Sequence, residues 1–87
     1  MMSQKDIQDT IATILRRDCN ITRETISPEH RLQEDLGLDS MGLLNLALEV
    51  ENHFQIFLEE AADNPPESLG DIVNLVMVRL EEQSNAA

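Results

Sequence analysis

The sequence predicts an all-α fold, a four-helix bundle with three main helices, one short helix and a long first connection. Three segments carry apolar residues at the three- and four-residue spacing of amphipathic helices, and no segment alternates as a strand does. The chain has 87 residues, of which 41% are apolar, which is enough for one small core and too little for two domains. We therefore expect residues 1–87 to form a single domain.

The first helix is predicted over residues 4–18. Ser3 and Asp6 have the spacing of a capping box, in which each side chain accepts a hydrogen bond from the backbone of the other. Apolar residues then recur at helical spacing at Ile7, Ile11, Ile14 and Leu15. This pattern indicates an amphipathic helix with one buried face.

A long connection follows, because the helical periodicity stops between residues 19 and 38. Ser27-Pro28 and Gly37 are typical of turns. The connection also carries the apolar residues Ile21, Ile26, Leu32, Leu36 and Leu38. We expect it to pack on the domain and to cross the molecule, so that the first two main helices lie side by side.

The second main helix is predicted over residues 40–55, with Asp39 as its N-cap. It carries two apolar stripes, one made of Leu43, Ala47, Val50, Phe54 and Phe57 and the other made of Met41, Leu44 and Leu48. Two stripes predict a central helix that is buried by neighbours on two sides. Alternatively, the helix also lines a space for an apolar ligand.

The sequence of residues 59–87 predicts a short helix, a third main helix and a tail. The short helix covers residues 59–63 and ends before Pro65-Pro66, because proline cannot continue a helix. Ser68 and Asp71 repeat the capping-box spacing, and the third main helix is predicted over residues 69–83. We expect residues 84–87 to be disordered.

The charge of the chain restricts its partners. The formal net charge is -11, which argues against nucleic acids and anionic membranes and favours basic protein surfaces. Residues 41–87 hold a single basic residue, Arg79, so the negative charge is concentrated there.

No apolar run is long enough for a membrane span, and no secretion signal is recognisable, so we expect a cytoplasmic monomer.

The residues needed for catalysis are not found together. A catalytic serine needs a nearby base, and His53 would lie about 20 Å along the helix from Ser40. Cys19 is the single cysteine, and with two separated histidines it makes no metal site. We therefore expect neither an enzyme nor a metal protein.

Ser40 stands where the long connection meets the second main helix. If Asp39 is the cap, Ser40 takes the first helical position and its hydroxyl can face solvent; alternatively, Ser40 is itself the cap. A phosphodiester at Ser40 would lie at the positive end of the helix dipole. The position therefore suits a phosphate-linked group.

The stretch EDLGLDSMGLLNLALEVENHF, residues 34–54, resembles the phosphopantetheine attachment region of acyl carrier proteins. The similarity extends over nearly the whole chain and includes the acidity and the four-helix plan. It implies that a phosphopantetheinyl transferase moves 4'-phosphopantetheine from coenzyme A to Ser40. The thiol of this arm would carry acyl groups as thioesters in fatty acid, polyketide or specialised lipid biosynthesis, and the chains could slip between the helices.

The resemblance also implies roles for neighbouring residues. Asp39 would help the transferase to dock, and Met41 would lie beside the arm where a leucine is usual. The surface that meets the acyl-loading and acyl-transferring enzymes would comprise Leu38, Gly42, Asn45, Glu49, Glu59 and Glu60. Gly42 and Asn45 replace acidic residues common in carriers for fatty acid synthesis, which favours a specialised pathway.

Three other interpretations stay open on the sequence alone. An aminoacyl or peptidyl carrier would share the fold and the attachment serine. An unmodified acidic helical adaptor would use Ser40 only to begin a helix and would carry no covalent group. A serine esterase would hydrolyse simple esters, and this activity would be lost on replacement of Ser40.

Overall fold

The computed structural model describes residues 3–58 and 65–84, which form three helices, α1 (Gln4–Asp18), α2 (Ser40–Phe54) and α3 (Leu69–Ser84). This described part contains no strand, which confirms the all-α class. The bounds of α1 equal those expected, α2 ends one residue earlier, and α3 continues through Ser84. The short helix expected at residues 59–63 and residues 85–87 of the expected tail lie outside the described residues.

The starts of α1 and α3 are held by two capping boxes of the same kind. At α1, the Ser3 hydroxyl accepts from the Asp6 N–H (3.1 Å) and the Asp6 carboxylate accepts from the Ser3 N–H (3.2 Å). At α3, Ser68 and Asp71 make the same two bonds at 3.2 and 3.1 Å. Backbone hydrogen bonds from Ser3 lower the pKa of Asp6, and those from Glu67 and Ser68 lower the pKa of Asp71.

The core lies where α1 packs against both α2 and α3. Each helix contributes one apolar face, and the long connection contributes one fully buried side chain, that of Leu32. The largest fully buried side chains are those of Ile7, Ile11, Ile14, Leu15, Leu32, Leu46, Val50, Leu69, Val73 and Val76. Leu46 belongs to neither apolar stripe predicted for α2, although it is among the most buried residues.

The long connection is bonded to the start of α3. Leu32 N–H donates to the Glu67 carbonyl (2.8 Å), Leu69 N–H to that of His30 (3.0 Å) and Gly70 N–H to that of Pro28 (3.0 Å). Its apolar residues Ile26, Leu32, Leu36 and Leu38 are buried. The connection therefore packs on the domain, as expected, and fixes the position from which the chain enters α2.

The prediction that neighbours bury α2 on two sides is wrong for its second apolar stripe. Met41, Leu44 and Leu48 are exposed, so in the part of the chain that the structure describes α2 is buried on one side rather than two. Phe57 is also exposed and lies beyond the end of α2, where Gln55 adopts a left-handed conformation. Helical periodicity identifies both stripes, but the presence of a second neighbour is a tertiary property that the periodicity does not contain.

The segment after α2 is tied to α3 and to α2 itself. The Arg79 guanidinium donates to the Phe57 carbonyl (3.0 Å), and the Gln83 amide donates to that of Gln55. The Leu58 N–H donates to the Glu51 carboxylate (2.9 Å). Arg79, the single basic residue after residue 40, thus serves an internal contact.

Candidate functional site

The approach to α2 is anchored on both sides of a glycine. Leu36 and Leu38 are buried, and their N–H groups donate to the carbonyls of Arg31 and Leu32, each at 3.0 Å. Gly37 between them has a φ of 73°, which L-residues rarely adopt. The two buried leucines therefore fix the loop, and Gly37 allows the chain to turn between them. Asp39 is thereby held at a defined position before α2.

Asp39 caps α2. Its carboxylate accepts from the Gly42 N–H at 2.7 Å, and its carbonyl accepts from the Leu43 N–H at 2.9 Å. Ser40 is the first residue of α2 and is exposed. Of the two assignments left open by the sequence, Asp39 is the cap, so the hydroxyl of Ser40 is not required to begin the helix.

Gly42 lies close to the loop anchor and to the capping residue. A Cβ atom at this position would lie 3.1 Å from Leu38 Cδ2 and 3.3 Å from Asp39 Oδ1, tighter than ordinary van der Waals contact. Any larger side chain would push on the loop anchor and on the capping carboxylate. Sequence reasoning noted the unusual glycine and missed this cause, because the contact appears only when the loop folds onto the first turn.

The electrostatics of this helix start suit an anion. Within α2 the first turn contains no acidic residue, and the carboxylate of the capping Asp39 accepts from the Gly42 N–H. The N–H groups of Ser40 and Met41 belong to the first turn, where no intrahelical acceptor exists. A phosphate on Ser40 would be stabilised there by about 0.3–1 kcal/mol at an exposed position. An exposed hydroxyl beside these N–H groups fits a phosphate-linked group.

The structure divides the residues expected around this site into two groups. Asp39, Ser40, Met41 and Gly42 are brought together at the start of α2, and Met41 is exposed. Leu38 is buried beneath them, so its part is to anchor the loop rather than to offer a surface. Residues 59 and 60, expected to supply an acidic contact area, lie outside the described residues.

Asn45 and Glu49 lie on the side of α2 that faces the end of α1. The Asn45 amide donates to the Asp18 carbonyl at 2.9 Å, and both Asn45 and Glu49 are half-buried. Burial raises the pKa of the nearby Cys19 thiol, as do the charges of Asp18 and Glu49, whereas a hydrogen bond with Asn45 lowers it. Asn45 thus joins two helices, a role that its sequence position does not reveal.

The two histidines have structural partners. His30 Nδ1 accepts from the Ser27 N–H at 3.0 Å, and the His53 ring contacts Phe54 edge-on at 5.0 Å between centroids. Since α2 is continuous, His53 lies about 20 Å along it from Ser40.

Within residues 3–58 and 65–84, no three His, Cys, Asp or Glu side chains are placed to hold a metal ion. None of the described helices is long and apolar enough to cross a membrane.

Comparison with known proteins agrees with this geometry. The family model for the phosphopantetheine attachment site matches residues 9–76. An acyl carrier protein of Aster yellows witches'-broom phytoplasma is 42% identical over 67 residues, covering 77% of this chain and 83% of that protein. One from Onion yellows phytoplasma is 35% identical over 65 residues, covering 75% and 86%. One from Chlorobium phaeovibrioides is 28% identical over 71 residues, covering 82% and 87%.

The family match extends from within α1 to the middle of α3 and contains the helix start at which Asp39 and Ser40 lie. Together with the relatives, it supports an acyl carrier role with covalently attached 4'-phosphopantetheine. The chain therefore belongs to the phosphopantetheine attachment family.

Proposed function

We propose that this protein is an acyl carrier protein whose Ser40 hydroxyl holds 4'-phosphopantetheine as a phosphodiester. One observation carries the assignment of the residue: Ser40 is exposed at the first position of α2, and Asp39 rather than Ser40 caps the helix. The group supplies a terminal thiol, on which acyl chains are held as thioesters. The protein itself supplies a fixed attachment point.

The residues around Ser40 each have a defined part in this function. Asp39 holds the helix start through the Gly42 N–H, so the Ser40 hydroxyl is presented at one place. The first-turn N–H groups stabilise the phosphate charge. Met41 offers an exposed apolar side chain beside the arm, where the resemblance to carriers has a leucine. The Asp39 carboxylate is engaged by the Gly42 N–H, and the resemblance to carriers assigns the attachment chemistry to a separate transferase.

The wider proposal follows the family pattern. Residues 1–87 form one carrier domain, in which a short helix at residues 59–63 completes the four-helix arrangement, and the domain has no catalytic activity of its own. It is a cytoplasmic monomer that meets a phosphopantetheinyl transferase and acyl-transferring enzymes, in fatty acid, polyketide or specialised lipid synthesis. Acidic residues that include Glu49, Glu59 and Glu60 attract these enzymes.

The test is the intact mass of the protein after incubation with coenzyme A, magnesium and a broad-specificity phosphopantetheinyl transferase. The parent gains the mass of one phosphopantetheine unit, and Ser40→Ala gains none. Ser3→Ala is the matched control, because Ser3 is an exposed serine at the start of another helix. This variant gains the same mass as the parent.

Two results would contradict the proposal. A parent that gains no mass, with a transferase that is active on another carrier, would favour the unmodified adaptor. A gain of mass by Ser40→Ala would place the attachment elsewhere. Loading of the modified arm with acyl or aminoacyl groups then separates an acyl carrier from an aminoacyl or peptidyl carrier.

A further inference from the structure

The chain enters α2 through a closed turn of residues 31–38, the entry turn. Its backbone N–H groups donate to carbonyls of the same turn at 3.0–3.1 Å, from Asp35 and Leu36 to Arg31, from Gly37 to Gln33 and from Leu38 to Leu32. The next residue is Asp39, which caps α2, and Ser40 follows it. A displacement of the entry turn would therefore move the cap and the Ser40 hydroxyl with it.

Within the described residues, two hydrogen bonds join the entry turn to other segments. At its start, the Leu32 N–H donates to the Glu67 carbonyl at 2.8 Å, just before α3. Farther along, the Arg23 guanidinium donates to the Asp35 carbonyl at 2.8 Å from twelve residues earlier in the chain. The first bond joins backbone to backbone, whereas the second depends on one side chain. Arg23 is therefore the residue whose substitution releases one side of the turn.

The Arg23 guanidinium is committed to this carbonyl. Arg23 is exposed, and in the part of the chain that the structure describes it forms no ion pair, whereas Arg31 pairs with Glu34. The Asp35 carboxylate accepts from the Arg31 N–H at 2.8 Å, inside the entry turn. A charged donor makes a stronger hydrogen bond than a neutral one. The bond from Arg23 thus braces the turn from outside.

We propose that Arg23 is a positioning residue for the attachment of phosphopantetheine. Its bond to the Asp35 carbonyl holds the entry turn, and the turn holds Ser40 where the transferase requires it. This rests on Ser40 being the attachment residue. A misplacement of about 1 Å can slow a reaction about 100-fold. A looser turn therefore lowers the rate of transfer rather than the affinity for the transferase.

The test compares the loading kinetics of Arg23→Met and Arg16→Met with those of the parent, by intact mass with one transferase, coenzyme A and magnesium. Methionine keeps an unbranched side chain and removes every donor. Arg16 is the matched control, because it is exposed and its guanidinium donates to the Glu24 carbonyl of the same connection at 2.9 Å. For Arg23→Met, kcat falls about tenfold and KM stays within about twofold of the parent, and neither changes for Arg16→Met.

Arg23→Lys tests the hydrogen bond itself. The lysine ammonium still donates, so kcat of this variant stays within about threefold of the parent. Three results would overturn the proposal. Equal kcat in Arg23→Met and the parent would remove the role of Arg23. An equal fall in Arg16→Met would make the lost positive charge responsible. A rise of KM at unchanged kcat would mean that Arg23 contacts the transferase.

Amide hydrogen exchange measures the entry turn without the transferase. In Arg23→Met the Leu36, Gly37 and Leu38 amides exchange about tenfold faster than in the parent, and that of Val50 in the core does not, whereas Arg16→Met changes none of them. Faster exchange at Val50 as well would overturn the proposal, because the whole domain would then be destabilised. Unchanged exchange at the turn, with loading of the parent intact, would reject the brace alone. Absence of any loading of the parent would reject the attachment site instead.

Discussion

The inner and outer faces of α2 are made from the same kind of residue but have different surroundings. Leu46 and Val50 on the inner face are fully buried against the other elements, whereas Leu44 and Leu48 on the outer face are half exposed. The inner leucine contributes to folding through the apolar area that it removes from water. The outer leucines remove less apolar area from water, so they contribute less to folding.

The largest expected effect contrasts one leucine from each face. We expect Leu46→Ala to lower the free energy of unfolding by about 3 kcal/mol, because it leaves a cavity in the core. Leu48→Ala is expected to change it by less than about 0.5 kcal/mol. Urea unfolding followed by circular dichroism measures both. Equal losses would mean that the outer face is covered within the domain.

Asn45 lies at the border between the two faces of α2. Its substitution tests how much its hydrogen bond to the end of α1 stabilises the fold. We expect Asn45→Asp to cost about 1–2 kcal/mol, because it removes the donor to the Asp18 carbonyl and adds a charge near Glu49. Asn52→Asp is the matched control, since Asn52 is exposed on the same helix. The same urea experiment compares them, and an equal cost would contradict a specific role for the Asn45 bond.

The smallest expected change in the free energy of unfolding is that of Gly42→Ala, which tests the packing at the start of α2. Alanine in a helix is favoured over glycine by about 1 kcal/mol. We expect Gly42→Ala to gain less than about 0.5 kcal/mol, because its Cβ crowds Leu38 and the Asp39 carboxylate. A gain of the full 1 kcal/mol in thermal or urea unfolding would mean that the crowding is relieved without cost.

The features predicted from sequence are those with local signals. The start of α1 was predictable because Ser3 and Asp6 lie three residues apart and bond to each other. The placement of Asp39 as a cap has the same origin. These bonds depend on the backbone of a single turn, so the residue types indicate them. At α2 the residue types left both Asp39 and Ser40 as candidate caps, and the bond from the Gly42 N–H identifies Asp39.

The features missed depend on distant parts of the chain. Asn45 bonds to a carbonyl 27 residues earlier, and no spacing along the sequence indicates that partner. Phe57 continued an apolar stripe in the sequence, but α2 ends at Phe54 and the following residues take a different direction. The candidate site was predictable at Asp39 and Ser40, whereas the surface beside it depends on how α1 and the connection pack.

The backbone conformation at Gly37 determines which amino acids this position can hold. Its φ is 73°, yet a Cβ atom there would meet nothing within 4 Å. The requirement is therefore for a left-handed backbone and not for a small residue. A D-amino acid, the mirror image of the natural form, would meet this requirement with a side chain, so the loop that presents Ser40 is limited by chirality rather than by space.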